Sequence, residues 1–286
     1  MKYAFIKKQS AHHQYTLLCK VLAVSRSGYY DWLYRMPSKR ALANRELLTK
    51  VKVLHTEHKQ RYGSPRIHAA LVQQGEHVSK GRVERLMRDH QLVARRVKRH
   101  KRVYIQREQQ KSAPNLLARD FSAHAPNRKW VSDITFIPTR EGYLYLATVL
   151  DIYSRAIVGW AMSHRINGEL VLSALDMAIE QRGSPSGVLV HSDQGSQYTA
   201  ASYREKLKSH EMICSMSRKG ECHDNAVAES FFHTLKEELV YDESFVTRKE
   251  AKQSIFKYIE LYYNRQRLHS FLGYEAPLKY ERMNVA

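Results

Sequence analysis

Three acidic residues lie in sequence contexts that suit metal-dependent chemistry on a phosphodiester. Asp133 lies in WVSDITFI, Asp193 in VLVHSDQGSQY and Glu229 in CHDNAVAESFFHTLKEEL, with 35 residues between the last two. These contexts are typical of a strand, a strand end and a helix. Carboxylates are preferred ligands of Mg²⁺ and Mn²⁺, and paired ions of this kind can activate a phosphodiester. The three acids are therefore the predicted catalytic and metal-binding residues.

Each acid also has an ordinary structural interpretation when it is considered alone. Glu229 would be an exposed helix acid, and Asp133 would cap a strand end. Asp193 would begin the turn Asp-Gln-Gly-Ser, in which Gly195 is chemically sensible. The joint occurrence of the three acids, each next to an apolar segment, favours catalysis.

The helical periodicity around Glu229 predicts which side chains share its surface. At about 100° per residue, one narrow stripe adjoins an apolar face that would dock on a sheet. The stripe contains Asn225, Glu229, Phe232 and Lys236, and the apolar face contains Ala228, Phe231, Leu235 and Leu239. Lys236 could reach a phosphate near the metals, and Asn225 is a weaker candidate for the same site.

The order of the elements predicts an α/β fold. The β-rich runs are residues 130–138, 143–151 and 155–161, followed by a helix over 169–181, the strand VLVHS, a helix over 200–209, a strand over 212–216 and further helices. Three antiparallel strands followed by helix-linked strands is the order of the ribonuclease H-like fold, a five-stranded mixed sheet flanked by helices. Its first and fourth strands are neighbours, so Asp133 and Asp193 are expected to meet.

The excess positive charge is confined to the first part of the chain. The 286 residues are 43% hydrophobic, enough for roughly two domains with buried cores. Residues 1–113 carry 26 basic and 7 acidic side chains, whereas residues 114–286 carry 21 of each. This segregation favours a polyanionic partner, double-stranded DNA, over a solvated basic face. A membrane surface is the weaker alternative.

The sequence has no feature typical of a membrane or secreted protein. No apolar run approaches the roughly 20 residues that span a bilayer, and the N-terminus MKYAFIKKQSAHH has no signal-peptide core. We therefore expect a cytoplasmic protein without a membrane partner. The cysteines Cys19, Cys214 and Cys222 lack the spacing of a disulfide framework or a zinc site.

Helical patterns divide the N-terminal part into two all-helical, helix-turn-helix-like units. The first is predicted over residues 1–40, with Ser25 as a helix N-cap and with Gly28 inside that helix at a cost of about 1 kcal/mol relative to Ala. A basic helix-turn-helix domain is predicted over residues 41–105, and a linker over residues 106–125. Residues 126–286 are the predicted catalytic domain with C-terminal helices.

Basic side chains of the second unit and of the arm after it are the predicted DNA contacts. They are Arg82, Arg85, Arg88, Arg95, Arg96, Lys98, Arg99, Lys101 and Arg102. A plain surface helix is the alternative for the first three. Arg265 and Arg267 are weaker candidates, because the aromatic residues around them have helical spacing that is more typical of packing than of base stacking.

Two other polar residues lie near the predicted sheet. Asp151 is a strand-end acid, and a turn-stabilising role is favoured for it over a catalytic one. His191 lies two residues before Asp193, so it either tunes that acid or packs in the core.

Eight motifs spread over nearly the whole chain carry a family resemblance. They are SRSGYY, RYGSPRIHAAL, VSKGRVERLMRDHQL, WVSDITFI, VLDIYSRAIVGW, HSDQGSQY, DNAVAESFFHTLKEE and YNRQRLHSFLGYEAPLKYE. With these motifs the chain resembles OrfB, the second-frame product of bacterial insertion sequences of the insertion sequence three (IS3) family. The acid spacing and the trailing Lys236 are shared with retroviral integrases, whose zinc-binding HHCC domain has no counterpart in this sequence.

The resemblance implies a DDE transposase with two Mg²⁺ or Mn²⁺ ions in each active site. Asp133 would bridge both ions, Asp193 would hold one and Glu229 the other. The substrates would be terminal inverted repeats and target DNA, in a nucleoid-associated homo-oligomer. The first-frame protein OrfA, usually fused to OrfB by frameshifting as OrfAB, would be a partner.

Two other function classes share part of these features. A ribonuclease H-like nuclease or resolvase would use the same acids but would cleave without joining. A non-catalytic DNA-binding regulator would use only the basic helices. Labelled terminal repeats incubated with Mg²⁺ distinguish the three classes by their products.

Overall fold

A mixed sheet carries both strands of the predicted catalytic site. The computed structural model describes residues 1–95, 113–218 and 220–284. Its strands are β1 (Lys129–Thr139), β2 (Gly142–Asp151), β3 (Ile157–Ser163), β4 (Leu189–Ser192) and β5 (Ile213–Met216). In these described residues they form a five-stranded sheet of order β3-β2-β1-β4-β5, with β1, β2 and β3 antiparallel and β4 parallel to β1 and β5. The predicted ribonuclease H-like architecture is confirmed.

Helices precede the sheet, connect its strands and follow it. Before the sheet lie α1 (Lys2–Gln9), α2 (Tyr15–Val21), α3 (Arg26–Tyr34), α4 (Lys39–Glu57), α5 (Ser64–Gln73) and α6 (Lys80–Asp89). The others are α7 (Gly168–Gln181), α8 (Ser196–Thr199), α9 (Ala201–Ser209), α10 (Ala226–Leu235), α11 (Arg248–Phe256) and α12 (Pro277–Asn284). α10 and α11 continue directly into π-helical runs over Lys236–Val240 and Lys257–Tyr263. A membrane-spanning helix is not found in the described part of the chain.

Alternation along the strands gives the sheet two buried faces. Side chains of a strand point alternately to opposite sides, so β1 contributes Val131 and Ile137 to the core shared with α10 and α11. Trp130 lies in the opposite core, which is shared with α7. Gly159 allows α7 to approach β3 closely, because an added Cβ would lie 2.2 Å from the Ala174 carbonyl oxygen. Odd-numbered residues of β1, including Asp133, therefore belong to the side that α10 covers.

The first helical unit, α1 to α3, has a small core of its own. Its buried side chains are Ile6, Leu18, Cys19 and Tyr29. Ser25 caps α3 as predicted, since its hydroxyl accepts a hydrogen bond from Gly28 N at 3.0 Å. A Cβ at Gly28 would lie 2.5 Å from the Tyr3 hydroxyl. The packing of α1 on α3 thus explains a glycine inside a helix.

The second helical unit, α4 to α6, has a core that extends into the C-terminal part of the chain. Leu268 is buried together with Val51 and Ile67 of this unit. The Tyr62 hydroxyl accepts from Leu268 N at 2.8 Å and donates to the Gln266 carbonyl oxygen at 3.3 Å. The second unit therefore packs directly against the segment that follows the sheet-covering helices.

Candidate active site

The pairing of β1 with β4 brings Asp133 and Asp193 to the same level of the sheet. The parallel register pairs Lys129 with Leu189, Trp130 with Val190 and Val131 with His191, a constant offset of 60 residues. The same offset, continued two residues further, matches Asp133 with Asp193. Neighbouring strands lie about 4.8 Å apart, so the continued register predicts that the backbone positions of the two acids are close together just after β4 ends.

Tyr198, on α8, lies near both of these acids. Its buried hydroxyl shares a hydrogen bond with Ser132 Oγ at 3.0 Å. Burial raises the pKa of Tyr198 well above its ordinary value, with smaller contributions from Tyr203, Asp133 and Asp193. The electrostatic effect of both carboxylates on one hydroxyl agrees with the proximity that the strand register gives.

Local backbone hydrogen bonds orient the two aspartates. Asp133 Oδ1 accepts from Ile134 N at 2.8 Å, and Asp193 Oδ1 accepts from Gly195 N at 3.0 Å. The second bond belongs to the predicted Asp-Gln-Gly-Ser turn. Asp133 is half-buried and Asp193 is exposed. The structural interpretation of Asp193 and its predicted role at a metal site are therefore compatible.

The start of α10 is attached to β1 next to Asp133. Asn225, which is buried and directly precedes α10, donates from Nδ2 to the Ser132 carbonyl oxygen at 3.2 Å. Glu229 is half-buried and follows one helical turn later, on the same helix face as Asn225, because residues four apart are neighbours on a helix. This arrangement directs the face that carries Glu229 toward the Asp133 end of β1.

Asp224 is a buried anchor that the sequence analysis did not identify. It accepts from Arg119 Nε at 2.6 Å, from Arg218 Nε at 3.1 Å and from Asn115 Nδ2 at 2.8 Å. The hydrogen bond from Arg218 is the largest cause that holds the pKa of Asp224 well below its usual range. Asp224 thus ties the loop before α10 to the segment before β1. The adjacent Asp-Asn pair was the available signal, but the distant partners could not be predicted.

The donor set of the candidate site suits a hard divalent cation. Asp133, Asp193 and Glu229 offer carboxylate oxygens, which Mg²⁺ and Mn²⁺ prefer. In the part of the chain that the structure describes, no group of three or more His, Cys, Asp or Glu side chains is gathered closely enough to hold one ion.

Known proteins match both parts of the chain. Family models described as integrase core domain match residues 123–222 and 229–285, and one described as HTH-like domain matches residues 42–100. The chain is 42% identical over 288 residues to transposase InsF for insertion sequence IS3A of Escherichia coli (strain K12), with 100% of both chains covered. This chain belongs to the IS3 family of transposases. It is therefore a polynucleotidyl transferase of the integrase superfamily.

Two further proteins are similar to this chain. The IS3-family chain is 44% identical over 252 residues to the transposase for insertion sequence element IS904 of Lactococcus lactis subsp. lactis (strain IL1403), covering 88% of this chain and 100% of that protein. A chain of the simian T-cell lymphotropic virus intasome, solved with PP2A regulatory subunit B56 gamma, is similar at a TM-score of 0.47 and 16% identity. That similarity covers 81% of this chain and 74% of the other.

The basic residues predicted to contact DNA have different surroundings in this IS3-family transposase. Arg85 and Arg88 are exposed on α6, whereas Arg82 Nε donates to Asn44 Oδ1 at 2.8 Å. Arg95 forms an ion pair with Asp242 at 2.7 Å, which links the second helical unit to the catalytic domain. Five other candidates lie outside the described residues: Arg96, Lys98, Arg99, Lys101 and Arg102.

Arg267 is buried, which corrects its prediction as a DNA contact. Its side chain is 5% exposed, and its guanidinium donates to both carboxylate oxygens of Glu238 at 2.8 to 3.0 Å. A cation that neutralises a buried carboxylate in this way cannot also face a phosphate. Arg265 is exposed and donates to the Glu260 carbonyl oxygen at 3.0 Å. The aromatic residues around them pack in the core, as Tyr258 and Tyr263 show.

His191 packs between β4, β5 and the segment that precedes β1. Ser215 Oγ accepts from the backbone N–H groups of Leu116 and Leu117, so its own hydrogen is donated to His191 Nδ1 at 2.9 Å. The other ring nitrogen then donates to Ser217 Oγ at 3.0 Å. Burial lowers the pKa of His191 to about 4. These contacts support the packing alternative.

Asp151 has the turn-stabilising role that the sequence favours. Its buried carboxylate accepts from Asn127 N at 2.7 Å, from Tyr153 N at 2.9 Å and from Trp130 Nε1 at 3.3 Å. Burial raises the pKa of Asp151, while the backbone donors act in the opposite direction. The acid holds together the entry to β1 and the turn after β2.

Proposed function

We propose that this transposase cuts and joins DNA at the ends of its insertion sequence with two divalent ions, Mg²⁺ or Mn²⁺, held by Asp133, Asp193 and Glu229. The supporting observation is the parallel register of β1 with β4, which matches Asp133 with Asp193 when it is continued by two residues, together with the bond that attaches the start of α10 to β1. Asp133 and Glu229 lie on elements of a packed core and Asp193 directly follows one, a placement that favours a preorganised ligand set.

The residues of the proposed site have distinct roles. Asp133, Asp193 and Glu229 would hold the ions through their carboxylate oxygens. When bound, the ions supply Lewis-acid stabilisation of the phosphoryl oxygens and activate the attacking hydroxyl. Asn225 fixes the start of α10 on β1, and Lys236, on the same helical stripe as Glu229, neutralises a phosphate of the DNA.

The proposed reaction consists of two phosphoryl transfers without a covalent protein intermediate. Water first adds to the phosphorus at the end of the element, and the P–O bond to the 3′ oxygen breaks to give a 3′-OH. That 3′-OH then attacks a second phosphodiester, so a new P–O bond forms as another breaks. The displaced 3′ oxygen takes up the proton that the attacking hydroxyl loses.

The proposed function includes partners that hold the DNA ends. The HTH-like unit, with exposed Arg85 and Arg88 on α6, would bind terminal inverted repeats through phosphate contacts. Two distant ends must be brought together for joining, so a homo-oligomer on DNA is proposed. OrfA, or an OrfAB fusion, is proposed as the further protein partner.

The test uses purified full-length protein, Mg²⁺ and labelled terminal inverted repeats. Joined strands are expected, whereas cleavage alone would favour a nuclease or resolvase and binding alone a regulator. Asp133→Asn should abolish both cleavage and joining while DNA affinity stays close to that of the wild type. The matched control is Asp176→Asn, because Asp176 is a surface acid paired with Lys206 at 2.8 Å. Equal activity of the two variants would exclude Asp133 from the catalytic site.

A further inference from the structure

An exposed aromatic ring and a cation form a pair near the candidate acids. Phe136 lies on β1, three residues after Asp133, and is 52% exposed. The Lys236 ammonium lies 4.6 Å from the centroid of its ring. Tyr143 on β2, also 52% exposed, contacts the ring edge to face at a centroid distance of 5.2 Å. Solvent-facing strand positions are normally polar, so exposed aromatic rings at this place need an explanation.

Phe136 and Lys236 meet at the part of the β1 edge that extends beyond the end of β4. β4 ends at Ser192, level with Ser132, whereas β1 continues to Thr139. Phe136 is an even-numbered residue of β1 and therefore lies on the side away from α10. Lys236 follows α10 on the opposite side, yet its ammonium lies over the Phe136 ring. The cation thus reaches round the same edge at which Asp133 and Asp193 lie.

We propose that Phe136 is a stacking platform for an unpaired DNA base, beside a phosphate that Lys236 neutralises. This inference rests on the proposed function and specifies how the site holds its substrate. Every nucleobase has a π-face, so an aromatic side chain can stack on it without sequence preference. A cation at the ring supplies the charge complementarity that selects a nucleic acid over an apolar protein segment.

The distance along β1 determines which base is concerned. Three strand residues span about 10 Å, which corresponds to about three steps of 3.4 Å along a DNA strand. The base that stacks on Phe136 therefore lies within about three nucleotides of the phosphate at Asp133. Neighbouring base pairs cover both faces of a base inside a duplex, so such a base must leave the stack before it can lie on a side chain, and the platform favours DNA ends whose last bases are unpaired.

Three substitutions at Phe136 separate stacking from simple apolar contact. Phe136→Ala removes the ring, Phe136→Leu keeps apolar bulk without a π-face, and Phe136→Trp keeps the π-face. The matched control is Phe271→Ala on the C-terminal turn Ser270–Leu272. Phe271 is 61% exposed and has the Arg155 guanidinium 3.9 Å from its ring centroid. Phe271 is therefore a second exposed phenyl ring in contact with a cation, at another place in the structure.

Binding is measured with the full chain, without metal, on terminal-repeat duplexes that carry 2-aminopurine in the last three positions, either paired or unpaired. Since loss of a stacking aromatic costs about 1–3 kcal/mol per base, Phe136→Ala and Phe136→Leu should weaken binding to the unpaired end about 5- to 140-fold. Both should also lose the fluorescence quenching of the stacked base. Phe136→Trp and Phe271→Ala should behave like the wild type, and thermal unfolding confirms that each variant is folded.

The outcomes separate this inference from the proposed function. Wild-type affinity for the unpaired end in folded Phe136→Leu would overturn the platform, as would an equal loss for paired and unpaired ends. Failure of folded Phe136→Trp to retain quenching would also overturn it. The proposed function fails instead if the wild type forms no joined product with Mg²⁺, a result that the metal-free binding measurement does not influence.

Discussion

Two glutamates of one continuous helical run lie in opposite surroundings. Glu229 lies in the first turn of α10, and Glu238 lies in its π-helical continuation. Glu229 is half-buried and follows Asn225, which is bonded to β1, by one helical turn, whereas the side chain of Glu238 is 10% exposed. The two residue types are identical, so the surroundings alone separate a candidate metal ligand from a structural acid.

The carboxylate of Glu238, the buried acid, has partners from three parts of the chain. Arg267 donates to both oxygens of Glu238, and the Tyr258 hydroxyl donates to Oε2 at 2.8 Å. Arg66 Nη1, from α5 of the HTH-like unit, lies 3.5 Å from Oε1. Protein donors already satisfy both oxygens, which leaves no place for a metal ion. Glu238 therefore joins α10, the C-terminal segment and the HTH-like unit.

Substitution of Glu229 should have the largest effect on strand joining. Because loss of even an outer-shell partner of a metal site costs about 10- to 100-fold, Glu229→Gln should reduce strand joining by more than about a hundredfold. Its free energy of unfolding should change by less than about 0.5 kcal/mol, the usual range for positions outside a packed core. Joining assays and urea denaturation measure the two quantities. A strongly destabilised Glu229→Gln protein would remove the contrast with Glu238.

Substitution of Glu238 should instead affect the stability of the fold. Glu238→Ala leaves the Arg267 guanidinium buried without its counter-ion, which should lower the free energy of unfolding by about 3–5 kcal/mol. The adjacent Glu237 provides the control, because it forms a more exposed pair with His233 at 3.2 Å and Glu237→Ala should cost at most about 1 kcal/mol. Urea denaturation of both variants checks this difference. Equal losses would show that Glu238 is not a structural anchor.

The pH dependence of stability should give a smaller contrast. Burial alone would raise the pKa of Glu238, but the positive charge of Arg267 and its hydrogen bonds outweigh that effect and hold the pKa below its ordinary value. An acid with a lowered pKa in the folded state stabilises the protein above its unfolded pKa, about 4.3 for Glu, and loses this contribution as the pH falls through its folded pKa. The stability difference between the wild type and Glu238→Gln should therefore be constant from neutral pH to about pH 5 and should shrink at lower pH. A difference that grows on acidification would contradict this assignment.

Local sequence patterns predict the helices and strands better than they predict which residues contact each other in the fold. The strands expected over residues 130–138 and 143–151 are observed as Lys129–Thr139 and Gly142–Asp151. The helix around Glu229 follows from its 3.6-residue periodicity. The neighbouring positions of Asp133 and Asp193 follow from the order of elements in the fold, because sequence spacing alone does not specify which strands pair.

The roles of individual charges depend on contacts that sequence does not encode locally. Glu238 stands in the same LKEEL segment as Lys236, and its main partner, Arg267, lies 29 positions away. The sequence around Arg267 therefore does not distinguish a DNA contact from a buried ion pair. Asp224 is similar, since Arg119 approaches it from 105 positions earlier. Buried ion pairs require a partner from elsewhere in the fold, and only the tertiary structure identifies that partner.

The apolar contact between the HTH-like unit and the C-terminal segment has a practical consequence. A fragment that began after the linker would lose Tyr62 and Ile67 as neighbours of Leu268. The apolar side chains of this contact would then be exposed to water, and Glu238 would lose its ion pair with Arg66. An isolated integrase core should therefore aggregate on expression, so a shortened protein should retain residues 42–95 together with the integrase core and its C-terminal segment.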